Sequence, residues 1–268
     1  MKGAEGVRIM KFGVCGTVDS AAVLKAAGYS YLEVNLVNTL KPEQDEAAFA
    51  VELERLAKSA LPVEAANVFL PGDLALCGPA TDPARQRRYV ETALSRAARA
   101  GIRMVVFGSG KARAIPEGFD RAQGWGQLVD FTLTVVAPAA QRHGVTMVVE
   151  PLNRSECNVL NTVAEAAAFV REVAHPSVRL LVDAFHWRRE NETASAIVEA
   201  GDLIRHVHIA TAKNRLAPGL EPQDFGPFFG ALRQIGYDGR VSVEARFNNL
   251  AEEATTVLDV LAIAAGAR

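Results

Sequence analysis

Eight short runs of apolar and β-branched residues, separated by longer alanine-rich stretches, constrain the fold of this chain more than any other feature. The runs are Met10–Cys15, Tyr31–Asn35, Val63–Phe69, Met104–Phe107, Thr146–Glu150, Val178–Asp183, Arg205–Ile209 and Arg240–Glu244. They are almost continuously hydrophobic rather than alternating, which is how parallel strands covered on both faces read. The stretches between them carry helix signals. Asp82-Pro83 supplies an N-cap and a proline at the first helical position of a segment that ends at Gly101. Thr162 and Glu165 form a capping box, followed by Ala166, Phe169, Val170 and Val173 at helical spacing. Phe228, Leu232 and Ile235 make an apolar stripe closed by Gly236. A last helix starts at Asn249, with Ala254, Val257, Leu258 and Leu261 along one face. Eight strand–helix units within 268 residues predict an α/β chain folded as a single (β/α)8 TIM barrel, one domain over residues 1–268. An open doubly wound sheet is the rival, but the first strand lacks the Gly-x-Gly-x-x-Gly turn of a dinucleotide binder.

Composition narrows what such a barrel does. Hydrophobic residues make up 49% of the chain, enough for a sizeable core and against wholesale disorder. Lys plus Arg is 29 against 31 for Asp plus Glu, a net charge of −2 that argues against a nucleic-acid partner. Cys15, Cys77 and Cys157 are odd in number and far apart, which suits a reduced cytoplasmic protein rather than a disulfide framework. Met1 to Arg8 holds no long apolar core, so no secretory signal is expected. No apolar run approaches the roughly 20 residues that cross a bilayer, so no membrane partner is expected either. The longest polar excursions, Gly108–Gly118 and Thr211–Gln223, suit the mouth of a substrate cleft.

The chemistry-bearing pattern lies in the second half. Met147-Val148-Val149 runs into Glu150, Leu180-Leu181-Val182 into Asp183, His206-Val207 into His208, and Val241-Ser242-Val243 into Glu244. Four consecutive strands thus finish an apolar run on a residue able to bind a metal, at the end of the barrel where active sites are built. One acid at a strand end is more often a helix cap or an ion-pair partner, and one histidine in an apolar strand more often a hydrogen-bonded core residue. Four on adjacent strands are hard to explain that way. Three carboxylates buried together without a cation would force protonation of at least one. Three carboxylates and one imidazole form a hard, oxygen-rich donor set suited to one divalent ion, manganese foremost, with magnesium or cobalt as alternatives.

Glu150-Pro151-Leu152-Asn153-Arg154-x-Glu156, Asp183-x-x-His186, His206-Val207-His208-Ile209-Ala210 and Val241-Ser242-Val243-Glu244 together resemble the sugar phosphate isomerase/epimerase family. This is the xylose isomerase-like TIM barrel group, and the similarity is nearest to its ketose 3-epimerases of the tagatose/allulose type. The resemblance runs from Lys11-Phe12-Gly13-Val14-Cys15 to Glu244. It implies Glu150, Asp183, His208 and Glu244 as ligands of the metal. It also implies Glu150 and Glu244 as the catalytic pair, on opposite faces of the sugar, moving a proton at C3 through a cis-enediolate. Glu156, His186 and Arg215 match the family's contacts to the O1/O2 end of the substrate. The bland readings are a solvated loop charge for Arg215 and an orienting partner of Asp183 for His186. The resemblance further implies a small-molecule sugar substrate and a homo-oligomer, dimer or tetramer.

Other residues read less sharply. Trp187 is expected to pack at the mouth, and Glu33, inside the second strand, to form an internal salt bridge. Val106–Arg113 lacks the spacing of a phosphate loop and reads as a mouth loop. Ala210 to Gly219 is one residue longer than the family's stretch and lacks its acid, which leaves the sugar open. No glycine-rich anion nest follows the last strand, where Arg246-Phe247-Asn248-Asn249 stands, and this favours an unphosphorylated substrate. Two alternatives use the same site. One is a lyase acting on a keto-inositol or 3-keto sugar, and the other a hydroxypyruvate-isomerase-like aldose–ketose isomerase.

Overall fold

The structure, a computed structural model, describes residues 10–266; the N-terminal reading on Met1 to Arg8 lies outside them. The strands are β1 (Lys11–Cys15), β2 (Tyr31–Asn35), β3 (Val63–Asn67), β4 (Met104–Phe107), β5 (Thr146–Val149), β6 (Val178–Asp183), β7 (Ile204–Ile209) and β8 (Arg240–Val243). All pair in parallel and in sequence order, and β8 closes on β1, with Gly13 opposite Ser242. This is the closed (β/α)8 barrel that the eight apolar runs predict.

The first half contributes helices α1 (Ala21–Ala27), α2 (Leu36–Leu40), α3 (Glu46–Ala57), α4 (Pro83–Arg99), α5 (Gly110–Arg113) and α6 (Arg121–Phe131). The second half adds α7 (Ala137–His143), α8 (Val163–Val173), α9 (Ala184–Arg189), α10 (Ala194–Ala200), α11 (Gly226–Gln234) and α12 (Leu250–Ala265). The helix starts follow the caps. Asp82 accepts from Ala84 N–H and Arg85 N–H at the start of α4, and Asn249 from Ala251 N–H at the start of α12. At α8 the capping box is only half reciprocal. Thr162 accepts from Glu165 N–H at 3.1 Å, but the Glu165 carboxylate turns to Asn161 N–H instead of Thr162 N–H. Gly108–Gly118 is not a simple loop, because α5 lies within it. Between α6 and α7 the chain widens into a π turn over Thr132–Val136. Ala137 N–H donates to Thr132 five residues back, just ahead of Pro138, which has no N–H to donate.

The barrel interior divides in two. Ala65, Met104, Val106, Val148 and Leu181, from β3 to β6, form an apolar cluster of their own. From β2, β7 and β8, Tyr31, Glu33, His206, His208 and Ser242 are wholly buried and hydrogen-bonded to one another. Gly13 on β1 is where Tyr31 fits: a Cβ there would overlap the phenol ring. The larger apolar core lies outside, between strands and helices.

Candidate metal centre and substrate cleft

Side chains alternate along a strand, so the interior residues of one layer fix those of the next. Val148 sets Glu150, Leu181 sets Asp183, His206 sets His208, and Ser242 sets Glu244. Strands β5 and β8 stop one residue earlier than expected, at Val149 and Val243, leaving both glutamates just beyond their strands. The ladder still reaches them: Glu150 N–H donates to Phe107 O and Glu244 N–H to Ile209 O, each at 3.2 Å. One donor atom from each of Glu150, Asp183, His208 and Glu244 lies within 4.8 Å of the others.

These residues suit a divalent cation. His208 Nε2 donates to Glu33 Oε1 at 2.8 Å, which turns Nδ1 towards Glu150 Oε1 at 3.2 Å and Glu244 Oε2 at 3.5 Å. Asp183 Oδ1 accepts from Phe185 N–H at 2.9 Å, whereas its Oδ2 is buried with no hydrogen-bond partner. A Cβ at Gly108 would collide with Glu150 Oε2, so only glycine leaves that carboxylate its position. A hard oxygen-rich cluster with an orphaned carboxylate oxygen and an inward imidazole nitrogen could hold a cation by its donor chemistry.

Electrostatics agree. Burial raises the Asp183 carboxyl to about 7, with Arg215 pulling against it, and burial likewise raises Glu150. Burial would raise Glu244 too, but His208 and Arg215 outweigh it and hold its carboxyl at about 2. For His208, burial opposes the charged form, yet Glu33 and Glu244 lift the imidazole well above its ordinary range. Glu33 is buried and would be raised; His208 and His206 hold it ionised.

Glu33 therefore forms the expected internal ion pair, and more. It accepts from His208 Nε2, from His206 Nε2 at 2.7 Å and from Ser242 Oγ at 2.6 Å, while Tyr31 Oη lies 2.8 Å from Ser242 Oγ. The whole inner layer thus fixes one imidazole. Cys15 also lies beside Glu33 and His208, but His208 Nε2 is already engaged by Glu33.

Glu156, His186 and Arg215 come together with Glu150 and Glu244 around a cleft of about 800 Å³ at the C-terminal end of the barrel. His186 Nδ1 accepts from Asn153 N–H at 3.0 Å, so its proton sits on Nε2, which lies 3.5 Å from Asp183 Oδ2 but forms no hydrogen bond. Burial, aided by Arg215, lowers His186 to about 3 and keeps it neutral. Asn153 Nδ2 also holds Glu156 Oε1 at 3.0 Å. Arg215 is no solvated loop charge. Its guanidinium bonds Glu244, reaches Glu156 at 3.4 Å and lies 4.4 Å above the Phe185 ring. Its backbone is left-handed, φ 51°, a conformation that non-glycine residues hold only under local constraint.

The Trp187 expectation is not met, the mouth-loop reading of Val106–Arg113 holds in part, and two further residues line the cleft. Trp187 does not reach the mouth; it packs on Phe228 at 5.5 Å and donates to Thr193 O, because helix α9 turns Phe185 and His186 towards the cleft instead. In Val106–Arg113 only Gly108, Ser109 and Gly110 line the cleft, and Arg113 is wholly buried behind them. Asn67 donates to Glu244 Oε1 at 3.0 Å, and Cys15 lines the floor. Asn67 closes the short Ala65-Ala66 stretch at the end of β3, a weaker form of the signal that marks the four clustered residues.

Comparison with known proteins gives a consistent result. A family model described as xylose isomerase-like TIM barrel matches residues 21–262. An L-ribulose 3-epimerase from Methylomonas sp. (strain DH-1) is 30% identical over 224 residues, covering 82% of this chain and 74% of that protein. A ketose 3-epimerase from Arthrobacter globiformis is 37% identical over 111 residues, 41% of this chain and 38% of its own length. Among solved structures, an L-ribulose 3-epimerase superposes with a TM-score of 0.82 at 22% identity, covering 97% of this chain and 95% of that one.

Proposed function

The chain belongs to the xylose isomerase-like TIM barrel family, and from that premise we propose that it is a divalent-metal-dependent epimerase acting at C3 of a ketose or a related small sugar. The observation that carries the reading is the convergence of Glu150, Asp183, His208 and Glu244, beside a cleft that Glu156, His186 and Arg215 also line. Glu150, Asp183, His208 and Glu244 would hold the ion, manganese being the best fit to a donor set of three carboxylates and one imidazole. When bound, the ion supplies Lewis-acid stabilisation of the negative charge that develops on the substrate oxygens.

The chain's own groups do the rest. Glu150 and Glu244 serve as base and acid: one takes the proton from C3, and the other returns a proton to the opposite face of a substrate cis-enediolate. Asn67 and Arg215 fix both oxygens of Glu244, so its position is set before substrate arrives. His186 presents an Nε2 proton that substrate oxygen can accept, held in that tautomer by Asn153. Arg215 and Glu156 together orient the same end of the sugar. The enzyme would work in the cytoplasm, with Cys15, Cys77 and Cys157 as free thiols; among the described residues no helix is long and apolar enough to cross a membrane.

The test is proton exchange with solvent. Incubated in heavy water with manganese and a panel of ketoses, the protein should place deuterium at C3 of at least one of them. Glu150→Gln and Glu244→Gln should each slow that exchange by about 10² to 10⁴. No exchange into any ketose or aldose overturns the reading, and formation of an enone from a keto-inositol or 3-keto sugar would assign lyase chemistry instead.

A further inference from the structure

The floor of the cleft is acidic and its rim is basic. Around the mouth stand Arg189, the last residue of α9, Lys213, in the loop after β7, and Arg246, just past β8. All three are exposed, and among the described residues none forms an ion pair with a carboxylate. The neighbouring acids are engaged elsewhere. Glu190 is bound to Arg154, and Glu221 accepts from Thr211 and from Asn214 N–H and Nδ2, with Lys213 contributing only a weak field to it. Arg246 donates to the Asn214 carbonyl, which carries no charge to offset it.

Arg189 is the informative member. Its guanidinium lies 5.4 Å from the Phe185 ring, and Arg215 lies 4.4 Å from the same ring. One aromatic side chain thus orients two guanidiniums towards one cleft. Arg215 is consumed by the floor, where it meets Glu244, Glu156 and Asp183. Arg189 has no such counterpart.

Resting on the epimerase reading, we infer that the substrate carries an anionic group, a carboxylate or a phosphate, at the end directed away from the floor, where Arg189, Lys213 and Arg246 receive it. Charge balance supports this. A divalent ion and Arg215 together offset three of the four floor carboxylates Glu150, Glu156, Asp183 and Glu244, while the rim adds three cations, none of them held in an ion pair among the described residues. The loaded cleft is therefore positive before substrate enters, a field that draws anions and raises their encounter rate. The missing glycine-rich nest after β8 means that backbone amides do not read this group; side chains do, and guanidiniums suit both carboxylate and phosphate geometry.

The test separates binding from turnover. With the manganese-loaded protein, calorimetry compares an alditol, which the enzyme is unable to epimerise, with its terminal phosphate ester and with the corresponding aldonate. At low ionic strength one or both charged ligands should bind about ten-fold tighter than the alditol, with the gap closing as salt is raised. Whichever anion gains more identifies the group. The double variant Arg189→Gln/Lys213→Gln should reduce that gap several-fold, and circular dichroism checks that it folds. Equal or weaker binding of both charged ligands overturns the proposal, as does a gap that survives in the double variant. Neither result bears on deuterium exchange at C3, so the epimerase reading stands or falls separately.

Discussion

Glu33 anchors His208 from beneath the cleft and does not line it. A single buried carboxylate accepts from two imidazoles and a serine hydroxyl, and its grip on His208 Nε2 leaves Nδ1 facing the acids. Glu33→Gln keeps the volume, but one amide nitrogen replaces an acceptor oxygen and is unable to accept from an imidazole N–H. Manganese affinity measured by titration should fall about 10- to 100-fold, the usual effect of losing an outer partner of a metal-binding histidine. An unchanged affinity would mean that β7 alone orients the ring. At this scale the sequence is legible where polarity contradicts its surroundings. Glu150, Asp183, His208 and Glu244 stand out because each closes an apolar run. Asn67 carries a weaker form of this mark and is followed by Val68 and Phe69, so the apolar run continues past it. Arg113 is not legible at all. It is wholly buried by donating to the carbonyls of Phe107 at 2.9 Å and Glu150 at 2.7 Å, acceptors that only the folded barrel brings near.

Helix termini show how local chemistry and tertiary contact divide the work. The caps at Asp82 and Asn249 are readable because an N-cap bonds amides two or three residues away. The start of α8 is different. Thr162 caps it locally, but Glu165 turns to Asn161, and Val163 N–H is taken at 2.9 Å by Glu192, 29 positions along the chain. Glu192 is half-buried, and burial raises its carboxyl from 4.5 to about 7. A carboxyl raised on folding favours the protonated native state. Its contribution is therefore fully present below about 4.5, is lost as pH rises towards 7, and is absent above that. Glu192→Gln retains an oxygen to accept from Val163 N–H without the buried charge. The variant should gain about 1 to 2 kcal/mol in urea unfolding at pH 8 and little at pH 5. A gain of the same size at both values would show that the charge is not what burial penalises. The π turn at Thr132–Val136 lies beyond sequence reading for a related reason: Pro138 signals a break, but not that the helix will absorb it by widening.

Closure is the property that belongs to the whole molecule, and it is what brings acids from β5, β6 and β8 to one place. Eight apolar runs announce a barrel because parallel strands must be covered on both faces, yet nothing in any one run says that the interior splits into an apolar half and a polar half. That split depends on Gly13 admitting Tyr31 and on Ser242 meeting Glu33 across the β8–β1–β2 seam. It also couples stability to the cation and to pH. Without an ion, Asp183 favours its proton, with its carboxyl raised from 3.8 to about 7, so its contribution to stability declines as pH climbs through that window and is gone above it. Binding an ion at Asp183 requires the opposite protonation state, so the ion's stabilisation should grow over the same window. At a hundredfold excess over its dissociation constant an ion contributes about 2.7 kcal/mol. For a chain of this size that corresponds to a rise in melting temperature of about 5 to 10 °C. Manganese should therefore raise the melting temperature by about that much at pH 8 and by clearly less at pH 5.5, whereas the ion-free protein loses stability between pH 4 and 7 through this group. A manganese effect as large at pH 5.5 as at pH 8 would remove Asp183 from the ligand set, and with it the account of why its Oδ2 lies buried without a hydrogen bond.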